Sequence, residues 1–95
     1  MEDIEVANNS AQNRFETTVN GALCFAAYEL EPGRITFTHT EVPEPASGRG
    51  VAGRLAETAL EHARSERLRV VPLCSFFASY IERHGAKYGD LVDKS

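Results

Sequence analysis

The fold is decided by the central stretch His39-Thr-Glu-Val-Pro-Glu-Pro-Ala-Ser-Gly-Arg-Gly-Val-Ala-Gly53. Before it, residues 34–42 alternate from one side chain to the next in the manner of a β-strand. After it, apolar residues recur at helical spacing from Val51 to Ala63, with charged residues on the opposite face. The end of the stretch is rich in proline and glycine, so it predicts a loop that joins a strand to a helix.

This loop places glycines at the start of a helix, which has a chemical consequence. The first N–H groups of a helix have no intrahelical acceptors, and together with the helix dipole they attract anions. Gly48 and Gly50 would let a phosphate approach the backbone, and Arg49 would add a positive charge. The alternative is that the two glycines only make a tight turn. The loop is not a P-loop, because no Gly-Lys-Ser/Thr follows, nor a dinucleotide fingerprint, which needs three glycines in register.

The sequence before the loop predicts an antiparallel meander. Residues 14–19, 22–30 and 34–42 read as three strands. Asn20-Gly21 tolerates the positive φ of a two-residue hairpin turn, and Glu31-Pro32-Gly33 reads as the second turn. The first thirteen residues are polar, so we expect a frayed, partly disordered end or a short edge strand with a turn.

After the first helix, the sequence predicts a strand over residues 68–73 and then a second helix. That helix would have Ser75 as its N-cap and end at Gly85 in the left-handed conformation. One side of it would carry Phe77, Tyr80, Ile81 and His84. Residues 87–92 read as a last short strand. The strands that flank the first helix should be parallel, joined by a right-handed crossover. The predicted fold class is α+β, a mixed sheet with helices packed on it.

The composition restricts the class of protein. Ninety-five residues, with 42% hydrophobic and 25% charged side chains, indicate one folded domain over 1–95. A net charge of −4 argues against a nucleic-acid partner, which would require a basic face. The longest apolar run, from Ala22 to Tyr28, is far shorter than the ~20 residues of a membrane span, and no signal peptide is visible. We therefore expect no membrane partner.

The cysteines and histidines bear on the redox compartment in which the protein is expected and on whether it binds a metal. Cys24 and Cys74 are too few for a disulfide framework and fit a reducing compartment, so the expected location is cytoplasmic. No paired cysteine and histidine spacing of the zinc type is present, and no metal site is predicted.

Several segments together resemble the GNAT acyltransferase superfamily. Its motif Gln/Arg-x-x-Gly-x-Gly/Ala is matched by Ser47-Gly-Arg-Gly-Val-Ala52 at Gly50 and Ala52. The runs His39-Thr-Glu-Val-Pro43, Pro72-Leu-Cys-Ser-Phe-Phe77 and Tyr80-Ile81 are similar to a subgroup of very small, single-domain GNAT-like proteins. The resemblance extends from about Arg14 to Leu91. One departure is Ser47, which stands where the motif prefers glutamine or arginine.

The resemblance implies a single minimal domain that binds acetyl-coenzyme A. The backbone N–H groups of the loop would hold the pyrophosphate, with Arg49 and Arg54 adding charge. The main chain of Glu41 and Val42 would pair with the pantetheine arm, in a cleft where Pro72 ends the pairing of two strands. The expected cofactor-binding residues are Glu41, Val42, Gly48, Arg49, Gly50, Val51, Ala52, Gly53 and Arg54.

Cys74 is the first candidate for a catalytic group. It lies just before a helix start, where the pKa of a thiol is lowered. The resemblance places it beside the thioester, as the nucleophile or as a proton donor to the departing thiolate. The alternative is a small buried hydrophobic residue, and for Cys24, in the middle of a strand, core packing is the prediction.

His39 and Glu41 are the other catalytic candidates, because an attacking amine must lose a proton. Both should share one face of their strand with Ile35 and Phe37 and point toward the same cleft. The alternatives are a hydrogen-bonded structural histidine and a solvated glutamate at a strand end. Tyr80 could protonate the leaving sulfur, although its position on an amphipathic helix favours packing.

The sequence therefore predicts an acyl-coenzyme A-dependent N-acyltransferase that uses acetyl-coenzyme A. The acceptor would be an amine, on a small molecule or on a protein or peptide, and the protein would be a monomer or a weak homodimer. The alternative is a non-catalytic module that binds coenzyme A or a protein partner. A thiol-based redox protein is a third reading, which the lack of a Cys-x-x-Cys pair opposes.

Overall fold

A computed structural model describes residues 4–94 of the chain. Within them, five strands form one sheet in the order β1-β2-β3-β4-β5. The strands are β1 (Ala7–Asn9), β2 (Arg14–Val19), β3 (Ala22–Glu31), β4 (Arg34–Glu41) and β5 (Arg69–Pro72). The first four pair antiparallel, and β5 pairs parallel with β4. The helices are α1 (Val51–Ser65), α2 (Ser75–Arg83) and α3 (Gly85–Tyr88), with single 3₁₀ turns at Glu44–Ala46 and Gly89–Leu91.

The turns predicted from the sequence are confirmed. Asn20 and Gly21 have φ values of 53° and 75°, as a two-residue turn with left-handed residues requires. Gly33 has a φ of 74° in the turn between β3 and β4. The polar beginning of the chain forms the short edge strand β1 followed by a turn, while residues 1–3 lie outside the described part.

The helices cover one face of the sheet. In β3, Cys24, Ala26 and Tyr28 are buried, whereas Leu23 on the other face is 40% exposed. Helix α1 contacts β2, β3, β4 and β5 through its apolar face, and α2 packs beside it against β5. Phe37 of β4 stacks on Phe77 of α2 with ring centroids 4.2 Å apart. Within residues 4–94, the opposite face carries no helix, and we call it the open face.

A β-bulge in β4 interrupts the regular alternation of side chains that the sequence predicts for that strand. Tyr28 pairs with Phe37 and Ala27 with His39, so Thr38 is an extra residue without a partner in β3. Residues directly opposite each other in an antiparallel pair share a face. Phe37 therefore points toward the helices, whereas His39, opposite Ala27, points to the open face. The prediction that His39 and Glu41 share a face with Ile35 and Phe37 is wrong, although the two remain on one face together.

The end of the chain differs most from the sequence prediction. Cys74, not Ser75, is the N-cap of α2. Gly85 does not adopt the left-handed conformation and begins α3 instead. Residues 87–92 do not form a strand, because Tyr88 and Leu91 are buried from helical turns. Val92 alone makes a bridge to Val70 of β5.

The described part of the chain has no helix with both the length and the apolar character needed to cross a membrane.

Candidate functional site

The loop before α1 leaves backbone N–H groups available for a ligand. Gly48 and Gly50 adopt left-handed φ values of 79° and 73°, which cost a residue with a Cβ about 1–2 kcal/mol. Gly50 is the N-cap of α1 and offers no side chain to bond the first turn. The first helical bond runs from Arg54 N to Gly50 O, at 3.1 Å. The amides of residues 51–53 therefore have no acceptor within the helix.

These amides face a groove between the start of α1 and one side of α2, which we call the α1–α2 groove. Its volume is about 500 Å³. One wall comes from the end of β4, the loop and α1, and the other comes from α2. The lining residues are Val42, Ser47, Gly48, Gly50, Val51, Ala52, Gly53, Phe76, Tyr80, Arg83 and His84. Six of the nine residues predicted to bind cofactor thus lie together.

Arg49 and Arg54 line a second, adjoining groove of about 730 Å³. It shares Gly50, Gly53 and Tyr80 with the α1–α2 groove and also contains Ile4 and Glu57. The two arginines therefore lie on the far side of the α1 start from Val42. Glu41 lines neither groove.

The sheet opens beside the end of β4. The last residue of β5 that pairs with β4 is Pro72, opposite Phe37. β4 continues through residues 38–41, of which residues 39–41 pair with β3 and none pairs with β5. At this point Cys74 N donates a hydrogen bond to Phe37 O at 2.9 Å and leads into α2. The opening therefore lies between the edge of β4 and the start of α2.

Cys74 is set at this opening with a polar environment for its sulfur. Its Sγ lies 3.3 Å from Thr40 Oγ1. Partial burial raises the pKa of the thiol, but hydrogen bonds from Thr40 and from the backbone N–H groups of Phe77 and Phe76 outweigh it, so that the pKa is lowered. By contrast, Cys24 is completely buried and burial raises the pKa of its thiol.

Replacing Thr40 with valine is expected to raise the pKa of Cys74, because the substitution removes a hydrogen bond that stabilises the thiolate. The rate of Cys74 alkylation by iodoacetamide, followed against pH, measures this change, and Cys24 does not interfere because it is buried. Thr18→Val, on an exposed position of β2, is the matched control and should leave the profile unchanged. An identical profile for Thr40→Val would show that the hydroxyl does not act on the sulfur.

His39 and Glu41 form a pair on the open face. His39 Nε2 lies 3.2 Å from Glu41 Oε1, and their side chains are 60% and 55% exposed. The His39 ring also meets the edge of Phe25, with centroids 5.9 Å apart. Thr40, which contacts Cys74, points to the helix side of the same strand. The structure thus places the histidine–glutamate pair and the cysteine on opposite faces of β4.

In the α2 wall of the α1–α2 groove, Tyr80 is the one residue that the sequence analysis considers for the site, and Phe76, Arg83 and His84 are additions from the structure. Phe76, Tyr80 and His84 follow one another at intervals of four residues, and neighbouring ring centroids are 6.0 Å and 4.3 Å apart. This i, i+4 spacing was the available signal. The predicted single face of α2 divides in two, because Phe77 and Ile81 enter the core while Tyr80 and His84 line the groove.

No group of three or more metal-binding side chains (histidine, cysteine, aspartate or glutamate) comes together within residues 4–94.

Known proteins share both the sequence pattern and the fold. A family model described as GCN5-related N-acetyl-transferase matches residues 14–91. Protein NATD1 of Gallus gallus is 32% identical over 84 residues, which cover 85% of this chain and 76% of that protein. Protein NATD1 of Homo sapiens is also 32% identical over 84 residues, covering 85% and 74%.

A solved structure extends the likeness to the whole architecture. The solution structure of a GCN5-like protein from Staphylococcus aureus superimposes with a TM-score of 0.70 and 28% identity, covering 98% of this chain and 91% of that one. The resemblance stated from the motifs and the predicted α+β mixed sheet are both confirmed. The chain belongs to the GCN5-related N-acetyltransferase family.

Proposed function

We propose that the protein is an acetyl-coenzyme A-dependent N-acyltransferase. The observation that carries this proposal is the continuity of the site: the α1–α2 groove begins at Val42, where β4 ends beside an open sheet edge, and passes the free amides at the start of α1. The same opening holds Cys74, whose thiol has a lowered pKa. This order matches that of the parts of acetyl-coenzyme A: the anion site would face the pyrophosphate, the strand edge the pantetheine arm, and Cys74 the thioester.

The start of α1 suits the pyrophosphate. The left-handed glycines Gly48 and Gly50 expose the backbone, and the amides of residues 51–53 have no helical acceptor. None of the described residues that line the α1–α2 groove carries a carboxylate, although the whole chain has a net charge of −4. Phosphates that are repelled by negative charge elsewhere on the surface would therefore meet no carboxylate among the described residues of this groove.

The edge of β4 suits the pantetheine arm. Residues 38–41 have a strand on the β3 side alone, so their outer backbone groups can pair with the two amides of the arm. This pairing would involve Glu41, and Val42 would continue it toward the groove. The arm would then end near Thr40 and Cys74, which lie 3.3 Å apart at Oγ1 and Sγ.

Acetyl-coenzyme A supplies an activated acetyl thioester when it is bound. The lowered pKa of Cys74 favours a role as nucleophile, in which its thiolate would form a bond to the carbonyl carbon of the acetyl group while the thioester C–S bond breaks. The departing thiolate would take up the proton that Cys74 had lost. The amine would then displace Cys74 from the acetyl group and return a proton to the thiol. The alternative role for Cys74 is to donate its own proton to the departing thiolate during direct attack by the amine.

The acceptor amine would enter from the open face. Because pairing ends at Pro72, both faces of the sheet give access to the opening beside β4. His39 and Glu41 lie on the open face, where a histidine paired with a carboxylate can accept the proton that the amine loses. The acceptor is an amine of a small molecule or of a protein or peptide. We further propose a monomer or weak homodimer and a cytoplasmic location.

Binding of acetyl-coenzyme A is expected to raise the unfolding temperature of the protein. A ligand that binds only the folded state at 100 times its Kd stabilises that state by about 2.7 kcal/mol. Thermal unfolding and titration calorimetry measure the effect. If saturating acetyl-coenzyme A gives neither a shift nor heat, the proposed function is wrong.

A charge variant in the groove makes this test specific. Ala52→Glu places a carboxylate among the free amides, where it suits the positive end of α1 but repels phosphates. We expect it to weaken binding by about tenfold or more, equivalent to about 1.4 kcal/mol. Ala52→Gln has the same size without the charge and should bind nearly as well.

Coenzyme A binding without transfer is the second candidate function. It is favoured by Ser47, which offers only a short side chain to the groove, and by the open face, which within residues 4–94 carries no helix that could wall an acceptor site. Release of free thiol from acetyl-coenzyme A, measured with a panel of small amines and lysine peptides, separates the two. Tight binding with no thiol release above the rate in buffer would favour the binding module.

A further inference from the structure

The far end of the α1–α2 groove carries positive charge. Arg83, in the last turn of α2, and the adjacent His84 line the same groove as Ser47 and Gly48, at the end of α2 away from Cys74. The His84 ring lies against Tyr80, with centroids 4.3 Å apart and planes inclined at 35°. The groove thus runs from Val42, past the amides of α1, to a guanidinium and an imidazole beside an aromatic ring.

Arg83, like Arg54 and Arg67, is not held by a carboxylate in the described part of the chain. Arg14, Arg34 and Arg64 each form an ion pair with a carboxylate, at distances between 2.6 and 2.9 Å. The guanidinium of Arg83 makes no such ion pair with any of residues 4–94. Its five donors, which can bind a phosphate in a bidentate fashion, are available at the edge of a groove without carboxylates.

We propose that Arg83, supported by His84, binds the 3′-phosphate on the adenosine of coenzyme A and selects the 3′-phosphorylated cofactor. The proposal rests on the proposed cofactor and names what the far end of its groove recognises. The amides of α1 already match the pyrophosphate, in which each phosphorus carries two non-bridging oxygens and a single negative charge. A terminal phosphate monoester exposes three oxygens and up to two charges, which is the chemistry that a guanidinium fork fits.

The same end of the groove also fits the adenine. The faces of aromatic rings bind one another in offset or tilted arrangements worth about 0.5–1.5 kcal/mol. His84 and Tyr80 form such a tilted pair on the groove wall, next to Arg83. A base stacked there would place its ribose within reach of the guanidinium. Arg83 would also supply hydrogen-bond donors of the kind that a glutamine or arginine would bring at position 47, where this chain has the short side chain of Ser47.

Titration calorimetry with coenzyme A and with 3′-dephospho-coenzyme A tests the proposal. We expect the unmodified protein to bind coenzyme A about 10- to 100-fold more tightly, the difference typical of charge-assisted hydrogen bonds. In Arg83→Gln, the affinity for 3′-dephospho-coenzyme A should be the same as in the unmodified protein. The affinity for coenzyme A should fall to that value. Arg83→Lys should retain part of the preference, because it keeps the charge and loses the fork.

Arg67→Gln is the matched control, since Arg67 is exposed after the other end of α1 and does not line either groove. It should preserve the preference for coenzyme A. Circular dichroism and unfolding curves establish that each variant is folded. In NMR titrations, adenosine 3′,5′-bisphosphate should bind more tightly than adenosine 5′-monophosphate and shift the amide signals of the α1–α2 groove at lower concentration. This readout is independent of acyl transfer.

The outcomes separate this inference from the proposed function. If the unmodified protein binds both forms of coenzyme A equally, Arg83 does not select the 3′-phosphate, while the proposed function stands. If Arg83→Gln weakens both forms by the same factor, Arg83 acts on another part of the cofactor and the inference is overturned. If neither form binds, the proposed function itself fails.

Discussion

Replacing Cys74 with alanine is expected to lower acyl transfer by about 10²- to 10⁴-fold, the usual contribution of a residue that moves a proton or attacks in the transition state. The affinity for acetyl-coenzyme A should change little, because the proposed phosphate and pantetheine contacts involve α1 and β4 and not Cys74. We expect the loss of transfer rate because the Cys74 thiol is partly exposed at the opening beside β4 and has a lowered pKa. Thiol release under saturating acetyl-coenzyme A measures the rate, and calorimetry measures the affinity.

Cys24→Ala is the matched control for this experiment. It removes the same atom from a side chain that is completely buried in β3 and has no access to the groove. We expect normal transfer in the folded protein and a loss of stability of about 1 kcal/mol from the lost packing. Full turnover by Cys74→Ala would contradict both roles of the thiol. Mass spectrometry of the protein after brief exposure to acetyl-coenzyme A distinguishes them, since only the nucleophile acquires an acetyl group on Cys74.

Replacing Phe37 with alanine is expected to destabilise the fold by about 3–5 kcal/mol, the range for removal of a buried aromatic ring. Phe37 is completely buried, stacks on Phe77 of α2 at 4.2 Å, and meets the edge of Tyr28 in β3. It is also the last residue of β4 paired with β5, immediately before the bulge. Because small domains have only about 5–15 kcal/mol of stability, the variant should be marginally folded.

Phe25→Ala makes the same deletion on the open face of the sheet. Its ring is partly exposed and contacts the Arg14 guanidinium at 5.4 Å and the His39 ring at 5.9 Å. Contacts of this kind are worth about 0.5–1.5 kcal/mol, so the loss should be several times smaller than for Phe37→Ala. Chemical denaturation of both variants gives the comparison. Equal losses would mean that the open face is buried in solution.

The strands, the hairpins and α1 could be predicted because each depends on residues that are close in sequence. Asn20 and Gly21 both accept positive φ, so the first hairpin turn follows from the two residue types. The apolar stripe of α1 follows from helical spacing alone, and its residues Leu55, Ala59 and Ala63 are fully buried.

The bulge could not be predicted in the same way. Thr38 lies in an unbroken alternation, and a bulge at a residue other than glycine has no local signature. Its effect is large, because it moves His39 and Glu41 to the open face and turns Thr40 toward Cys74. The sequence therefore predicts that His39 and Glu41 share one face of a strand, but not that this is the open face.

Most of the groove wall formed by α2 could not be predicted for a related reason, and for Tyr80 the sequence favours packing over a role in the site. Tyr80 and His84 share the side of a short helix with several apolar residues, and amphipathic spacing does not distinguish a core face from a groove face. The division became clear only from the packing of Phe77 on Phe37 and from the approach of Gly53 to Tyr80, where an added Cβ would lie 3.8 Å from the Tyr80 ring.

The stretch from His39 to Gly53 thus establishes the main features of this protein locally: a strand, a loop with two left-handed glycines, and a helix whose first amides are free. These features depend on backbone preferences and hydrogen bonds within a few residues, so the sequence contains them. The position of Cys74 against Thr40, the bulge, and the Arg83 end of the groove depend on strand register and on helix packing between segments distant in the chain. Burial and pairing arise only when those segments meet, and for that reason the geometry of the site had to come from the folded structure.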